Sequence, residues 1–138
     1  MSWDVSIHKF SQVYRKLEEI PHDEVPLVLG SRALVHEQIL ICFPGTDWTD
    51  PCWGTWSSPD GSIEFNLGTD EPVTGLMLHV RAETTVIPAI VQLCRTNCWQ
   101  GIDGSSGEFL EQSNQPAEGL LAWSAYRDQV VAGRSGDA

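Results

Sequence analysis

Positive charge is scarce in this chain. Eight Lys and Arg stand against 19 Asp and Glu over 138 residues, a formal net charge of −11, and only Lys9 and Lys16 are lysines. Scattered cations do not build the basic face that phosphate neutralisation requires, which argues against nucleic acid as a partner. Attachment to an anionic membrane surface is disfavoured for the same reason. Long apolar runs are missing too: no stretch approaches the roughly 20 residues of a membrane-spanning helix. The opening Met-Ser-Trp-Asp-Val-Ser has neither the basic region nor the apolar core of a signal peptide, so a cytoplasmic location is expected. The sequence contains no GxSxG elbow, no Walker A loop and no HExxH pair. Internal repeats and low-complexity segments are also absent. No catalytic residue, cofactor or metal site is therefore assigned.

Enough apolar material remains for a core, since 41% of the residues are hydrophobic. The length fits one domain, taken as residues 1–132, with a small, polar, flexible tail over 133–138. Four cysteines, Cys42, Cys52, Cys94 and Cys98, read as unlinked thiols in a chain of this kind. Cys42 falls in a helical pattern as a small buried hydrophobe. Cys94 and Cys98, four apart, lack the partner pair of a zinc site and read as two unlinked core thiols. His22 and His36 likewise lack spaced ligand partners, and each reads as a surface or helix-face residue.

Periodicity orders the elements. Trp3, Val5 and Ile7 alternate with Asp4, Ser6 and His8 as a half-buried strand. The polar stretch from Phe10 to Gly30 reads as a connection, with one helical turn around Tyr14–Leu17. Ser31 offers an N-cap to a helix carrying Leu34, Val35, Ile39, Cys42 and Phe43, which Pro44 ends. Ser62–Leu67 and Val73–Arg81 alternate as two strands separated by Gly68–Pro72. Thr84 or Thr85 can cap a second helix bearing Ile87, Ile90, Val91 and Cys94, with Pro88 in its first turn. A short strand follows through Cys98–Ile102, a brief extended piece is expected at Glu108–Glu111, and Pro116 starts a third helix. The order β-α-β-β-α-β predicts an α+β, ferredoxin-like antiparallel sheet with helices on one face, plus a C-terminal helix.

Two residue sets carry the functional expectations. The first lies in and around a Trp-rich stretch read as loop: Asp47, Trp48, Asp50, Trp53, Trp56, Asp60, Asp70 and Glu71. Carboxylates beside large aromatics suit a basic protein partner, with charge steering association and Trp anchoring the contact. Each Trp also has a plainer reading, as a plug at the edge of a small core. The loops are expected at one end of the sheet. Asp47 and Asp50 are too few for a Ca²⁺ loop. The second set follows from alternation. Glu64, Asn66, His79 and Arg81 share the sheet face opposite the helices, with Asp4, Ser6 and His8 joining if the first strand pairs nearby. Such a set suits small-ligand binding or acid–base work where a pocket encloses it, and otherwise forms cross-strand pairs on a wet face. A monomer or weak homodimer is expected.

Ser2-Trp-Asp4, Asp47-x-x-Asp-Pro-x-Trp-Gly54, Ser62-Ile-Glu-x-Asn-x-Gly68 and His79-Val-Arg81 occur in that order. As a set, from Ser2 to Phe109, they resemble a family of small bacterial cytoplasmic proteins to which no reaction attaches. The last helix lies outside the resemblance. In general character the chain is similar to immunity proteins of toxin–immunity pairs, which use diverse scaffolds to neutralise a cognate toxin, often a basic nuclease. By that analogy, the resemblance implies a non-enzymatic binding module.

Overall fold

Strand alternation in the sequence becomes burial alternation in space. The computed structural model describes residues 2–136, with side chains as far as Val130. In chain order the elements are β1 (Trp3–His8), α1 (Arg32–Cys42), β2 (Asp47–Asp50), β3 (Trp53–Ser58), β4 (Gly61–Asn66), β5 (Leu76–Ala82), α2 (Ile87–Asn97), β6 (Gln100–Asp103) and α3 (Glu118–Gly136). The six strands form one antiparallel sheet in the order β2-β3-β4-β5-β1-β6. The fold is α+β, with a C-terminal helix. None of the helices described is long and apolar enough to cross a membrane.

Val5 and Ile7 of β1, Ile63 and Phe65 of β4, and Leu78 and Val80 of β5 are fully buried and share one core with Val35 and Ile39 of α1 and Ile90 and Leu93 of α2. Their strand neighbours point to the other side, half-exposed. Burial on this scale stabilises by about 1.5–3 kcal/mol per large apolar side chain, which fixes the register. Ser31 caps α1 as expected, its side chain accepting from the Leu34 amide at 3.1 Å.

The sheet differs from the expectation in size and strand order, with six strands rather than four. The Trp-rich stretch is a β-hairpin, not a loop. Trp53-Gly-Thr-Trp56 is rich in strand formers and pairs along its whole length with β4, Trp53 opposite Asn66 and Trp56 opposite Ile63. Around Asp50-Pro51-Cys52 the chain reverses into β2, a four-residue edge strand with a register shift between Asp47 and Asp50. A short, irregular, charged edge resists pairing with other chains, so part of the acidity there has a structural reason.

Smaller differences have local causes. β5 starts at Leu76, because Val73 instead bridges Gly30, with two backbone hydrogen bonds of 2.8 Å tying this loop to the start of α1. The helical turn expected at Tyr14–Leu17 lies at Leu17–Glu19. Neither Thr84 nor Thr85 caps α2: both belong to a preceding 3₁₀ turn, and the Thr85 hydroxyl donates to Asp60 at 3.0 Å. In place of the extended piece at Glu108–Glu111, Phe109 bridges Ile102 and a 3₁₀ turn follows from Leu110. Cys42 is half-buried rather than buried. The backbone stays helical to Gly136 through much of the segment expected as a tail, and Asp137 and Ala138 lie outside the described residues.

At the end of α2, Cys98 adopts a left-handed conformation, φ 57°, where glycine is the usual cap. The Cys98 thiol is exposed rather than in the core as expected, because the cap lies at the helix end, so its removal leaves no cavity. Cys98→Gly is expected to raise the unfolding free energy by about 1 kcal/mol, read from urea denaturation midpoints at unchanged slope.

Candidate functional site

The face opposite the helices carries a connected polar surface. Asp4 lies across from His79, and His79 across from Glu64, through the β1–β5 and β5–β4 registers. Asp4 Oδ1 accepts from the Ser2 hydroxyl at 2.6 Å and lies 2.9 Å from His79 Nδ1. Glu64 accepts from Arg81 Nη1 at 2.7 Å on one oxygen and from Trp53 Nε1 at 3.0 Å on the other. The Trp53 indole lies nearly parallel to the His79 ring, 17° between planes and 5.6 Å between centroids. One chain of contacts thus runs Ser2–Asp4–His79–Trp53–Glu64–Arg81 across four strands. Burial pushes the Asp4 carboxyl up, but hydrogen bonds from Ser2 and His79 and the charges of His79 and Arg81 outweigh it and hold it below the usual range. His8, further along β1, is depressed by burial alone; its Nε2 meets the Ser6 hydroxyl at 2.7 Å and its Nδ1 is enclosed, with no partner among the described residues.

Three of the four residues expected on this face, Glu64, His79 and Arg81, are joined in this way. Asn66 lies on the same face but turns its side-chain oxygen to the Gly68 amide at 3.0 Å, closing the β4–β5 turn. The principal cavities, of about 330, 420 and 390 Å³, lie around residues 15–18, the turn at 103–109 and α3. None of these three is lined by Glu64, Asn66, His79 or Arg81.

The Trp-rich set is dispersed. Trp53 and Trp56 are three apart on one strand, so pleating sends them to opposite faces. Trp56 packs against Phe43 on the core side, 5.2 Å between ring centroids. Trp48 stacks on His36 at 3.9 Å and covers Gly54, where an added Cβ would fall 2.7 Å from the indole. Trp48 and Trp56 therefore close the core at its edge, and His36 serves as the platform for one of them. Trp53 alone faces outward with the polar network.

The carboxylates divide as well. Asp50, Asp70 and Glu71 lie at the end of the sheet where Trp53 pairs with Asn66; Asp60 sits in the β3–β4 turn at the opposite end. The expectation of one shared end is thus corrected: a hairpin has two ends, and β3 carries the chain from one to the other. Each carboxylate also has a local hydrogen bond. Asp47 accepts from the Thr49 amide and hydroxyl, which hold it below the usual range. Asp50 accepts from the Cys52 amide, and Asp70 from the Thr74 hydroxyl. Both Glu71 oxygens accept from the Arg32 amide at the start of α1, where a negative charge also suits the helix dipole. Among the described residues no group of three or more His, Cys, Asp and Glu is placed to hold a metal ion. Comparison with protein-family models, curated proteins and solved structures gives no match.

Proposed function

We propose that this chain is an acidic protein-binding module that neutralises a basic protein partner by direct docking, in the manner of an immunity protein against a nuclease-type toxin. One observation carries the reading: the negative charge is left largely uncompensated. Against a net charge of −11, the described residues form two Arg–carboxylate ion pairs, one of them between the neighbours Arg127 and Asp128, and a His79–Asp4 contact. A surface of this kind accelerates encounter with a basic protein and loses affinity as salt screens it. Trp53, held between Glu64 and His79, supplies the rigid aromatic that a docking face needs. The module works without catalysis or cofactor, in the cytoplasm, as a monomer or weak homodimer. In fold terms we read β4-β5-β1-β6 as a ferredoxin-like sheet to which the β2–β3 hairpin is appended.

Co-expression with the product of a toxin gene adjacent to this one tests the proposal. The expected result is a stable complex, rescue of growth, and an affinity that falls as salt is raised from low to moderate concentration. No complex and no rescue would reject the immunity assignment.

The Asp4–His79 pair favours a second reading, in which the same face binds a small ligand or performs acid–base chemistry through Glu64, Asn66, His79 and Arg81. His79→Ala and Glu64→Ala separate a protein-interface role of this face from a purely structural one. Loss of partner affinity at unchanged melting temperature places the face in the protein interface. Loss of melting temperature alone leaves these residues a structural role.

A further inference from the structure

We infer that the cleft between α3 and the start of β1 receives an arginine side chain of the protein partner. The inference rests on the binding reading above and specifies a contact for it. The cleft, about 390 Å³, is walled by Trp3, Trp123 and Tyr126, with Ser2, Asp4 and Ser105 as its polar groups. Among the described residues no cation lines it, and the one charged side chain there is the Asp4 carboxylate. Hydrogen bonds from Ser2 and His79 converge on one Asp4 oxygen, and among the described residues the other accepts none. An anionic oxygen beside aromatic surface is the combination a planar guanidinium uses, through a charge-assisted hydrogen bond at its edge and stacking on its face.

A further observation points the same way. The chain's own Arg127 already lies over the Trp123 ring, 5.0 Å from its centroid, so this indole is accessible to a guanidinium. Trp123 Nε1 is enclosed and, among the described residues, has no acceptor, so its N–H reports changes at this ring. Because Asp4 also bonds His79, the cleft borders the face that carries Trp53. The arginine pocket and the polar face then form one docking surface.

The probe is N-acetyl-arginine-N-methylamide, titrated into ¹⁵N-labelled protein while the Trp123 indole N–H is followed. The neutral citrulline analogue serves as control. A saturable shift is expected, with affinity weakened about fivefold or more for citrulline, for Asp4→Asn and for Tyr126→Ala, and unchanged for Asp70→Asn. Tyr126 is 58% exposed, so its truncation leaves the fold intact even where Asp4→Asn loosens it. No saturable shift, equal binding of citrulline, or full affinity in Tyr126→Ala would overturn the assignment. These outcomes involve no toxin, so a failure here is distinguishable from a failed co-expression, which removes the binding reading itself.

Discussion

Asp103→Ala is expected to destabilise the protein by about 1–3 kcal/mol, measured by urea denaturation at neutral pH, because it leaves the enclosed Trp3 indole N–H without an acceptor and unties the exposed Ser105–Ser106 turn. Asp103 is buried at the end of β6, and its Oδ1 accepts from Trp3 Nε1 at 3.0 Å, from the Ser105 amide and hydroxyl at 2.8 and 2.6 Å, and from the Ser106 amide at 3.3 Å. One oxygen thus joins the first strand to the turn after the last one, 100 residues apart. Space is tight there: a Cβ on Gly119 of α3 would collide with the other Asp103 oxygen, so this carboxylate also sets how closely α3 approaches. The effect carries a pH signature. Burial pushes the Asp103 carboxyl up, but hydrogen bonds from Ser105, Trp3 and Ser106 overcome it and leave it below the ordinary value. A depressed carboxyl stabilises the fold above its unfolded-state value, about pH 3.9, and loses that contribution as pH falls through the folded-state value. The wild-type protein should therefore lose stability below about pH 4 more steeply than Asp103→Ala, and parallel acid limbs in the two proteins would refute this role.

Phe65→Ala should cost still more, about 3–5 kcal/mol, since it combines lost burial with a cavity at the centre of the sheet. Phe65 is fully buried and sits 5.3 Å from the Phe43 ring and 6.3 Å from the Trp48 ring. Its cross-strand partner is Gly54, whose missing side chain leaves room for the Trp48 indole. The vacated space therefore borders Trp48, the aromatic that closes this edge of the core. The urea midpoint should drop at unchanged slope, and the environment of Trp48, read from near-ultraviolet circular dichroism, should change with it. A loss below about 1 kcal/mol would mean that the hairpin does not share the core.

Much of this architecture is legible in short-range patterns. Trp3–His8, Ser62–Leu67 and the strand through Leu76–Val80 alternate strictly, and the helix after Ser31 carries its cap in the sequence. The joining of Glu64, His79 and Arg81 follows from that alternation and from the adjacency of β4 and β5. The hairpin was obscured by Pro51 and Gly54, which read as loop residues; one sits in the turn, and the other makes space for Trp48. Read at period two, Trp53 separates from Trp56, and that signal was available. No such signal marks Gln100 and Glu111. Both are buried, with Gln100 bonded to the Tyr14 backbone and to Glu111, and Glu111 also accepting from the Gly101 amide. Burial raises Glu111 against the pull of these hydrogen bonds.

By itself the sequence determined which side chains share a strand face, where the first helix begins, and how strongly acidic the surface is. Those properties depend on residue type and on spacings of two to four. Tertiary structure alone decided that the acidic loops lie at two ends of the sheet, that Trp48 covers Gly54 and Trp56 meets Phe43 at the edge of the core, and that Asp4 meets His79 beside a cleft under α3. Those outcomes require strands 75 residues apart to pair in one register and a terminal helix to dock on the first strand. Such contacts arise from burial summed over the whole core, which no local window contains.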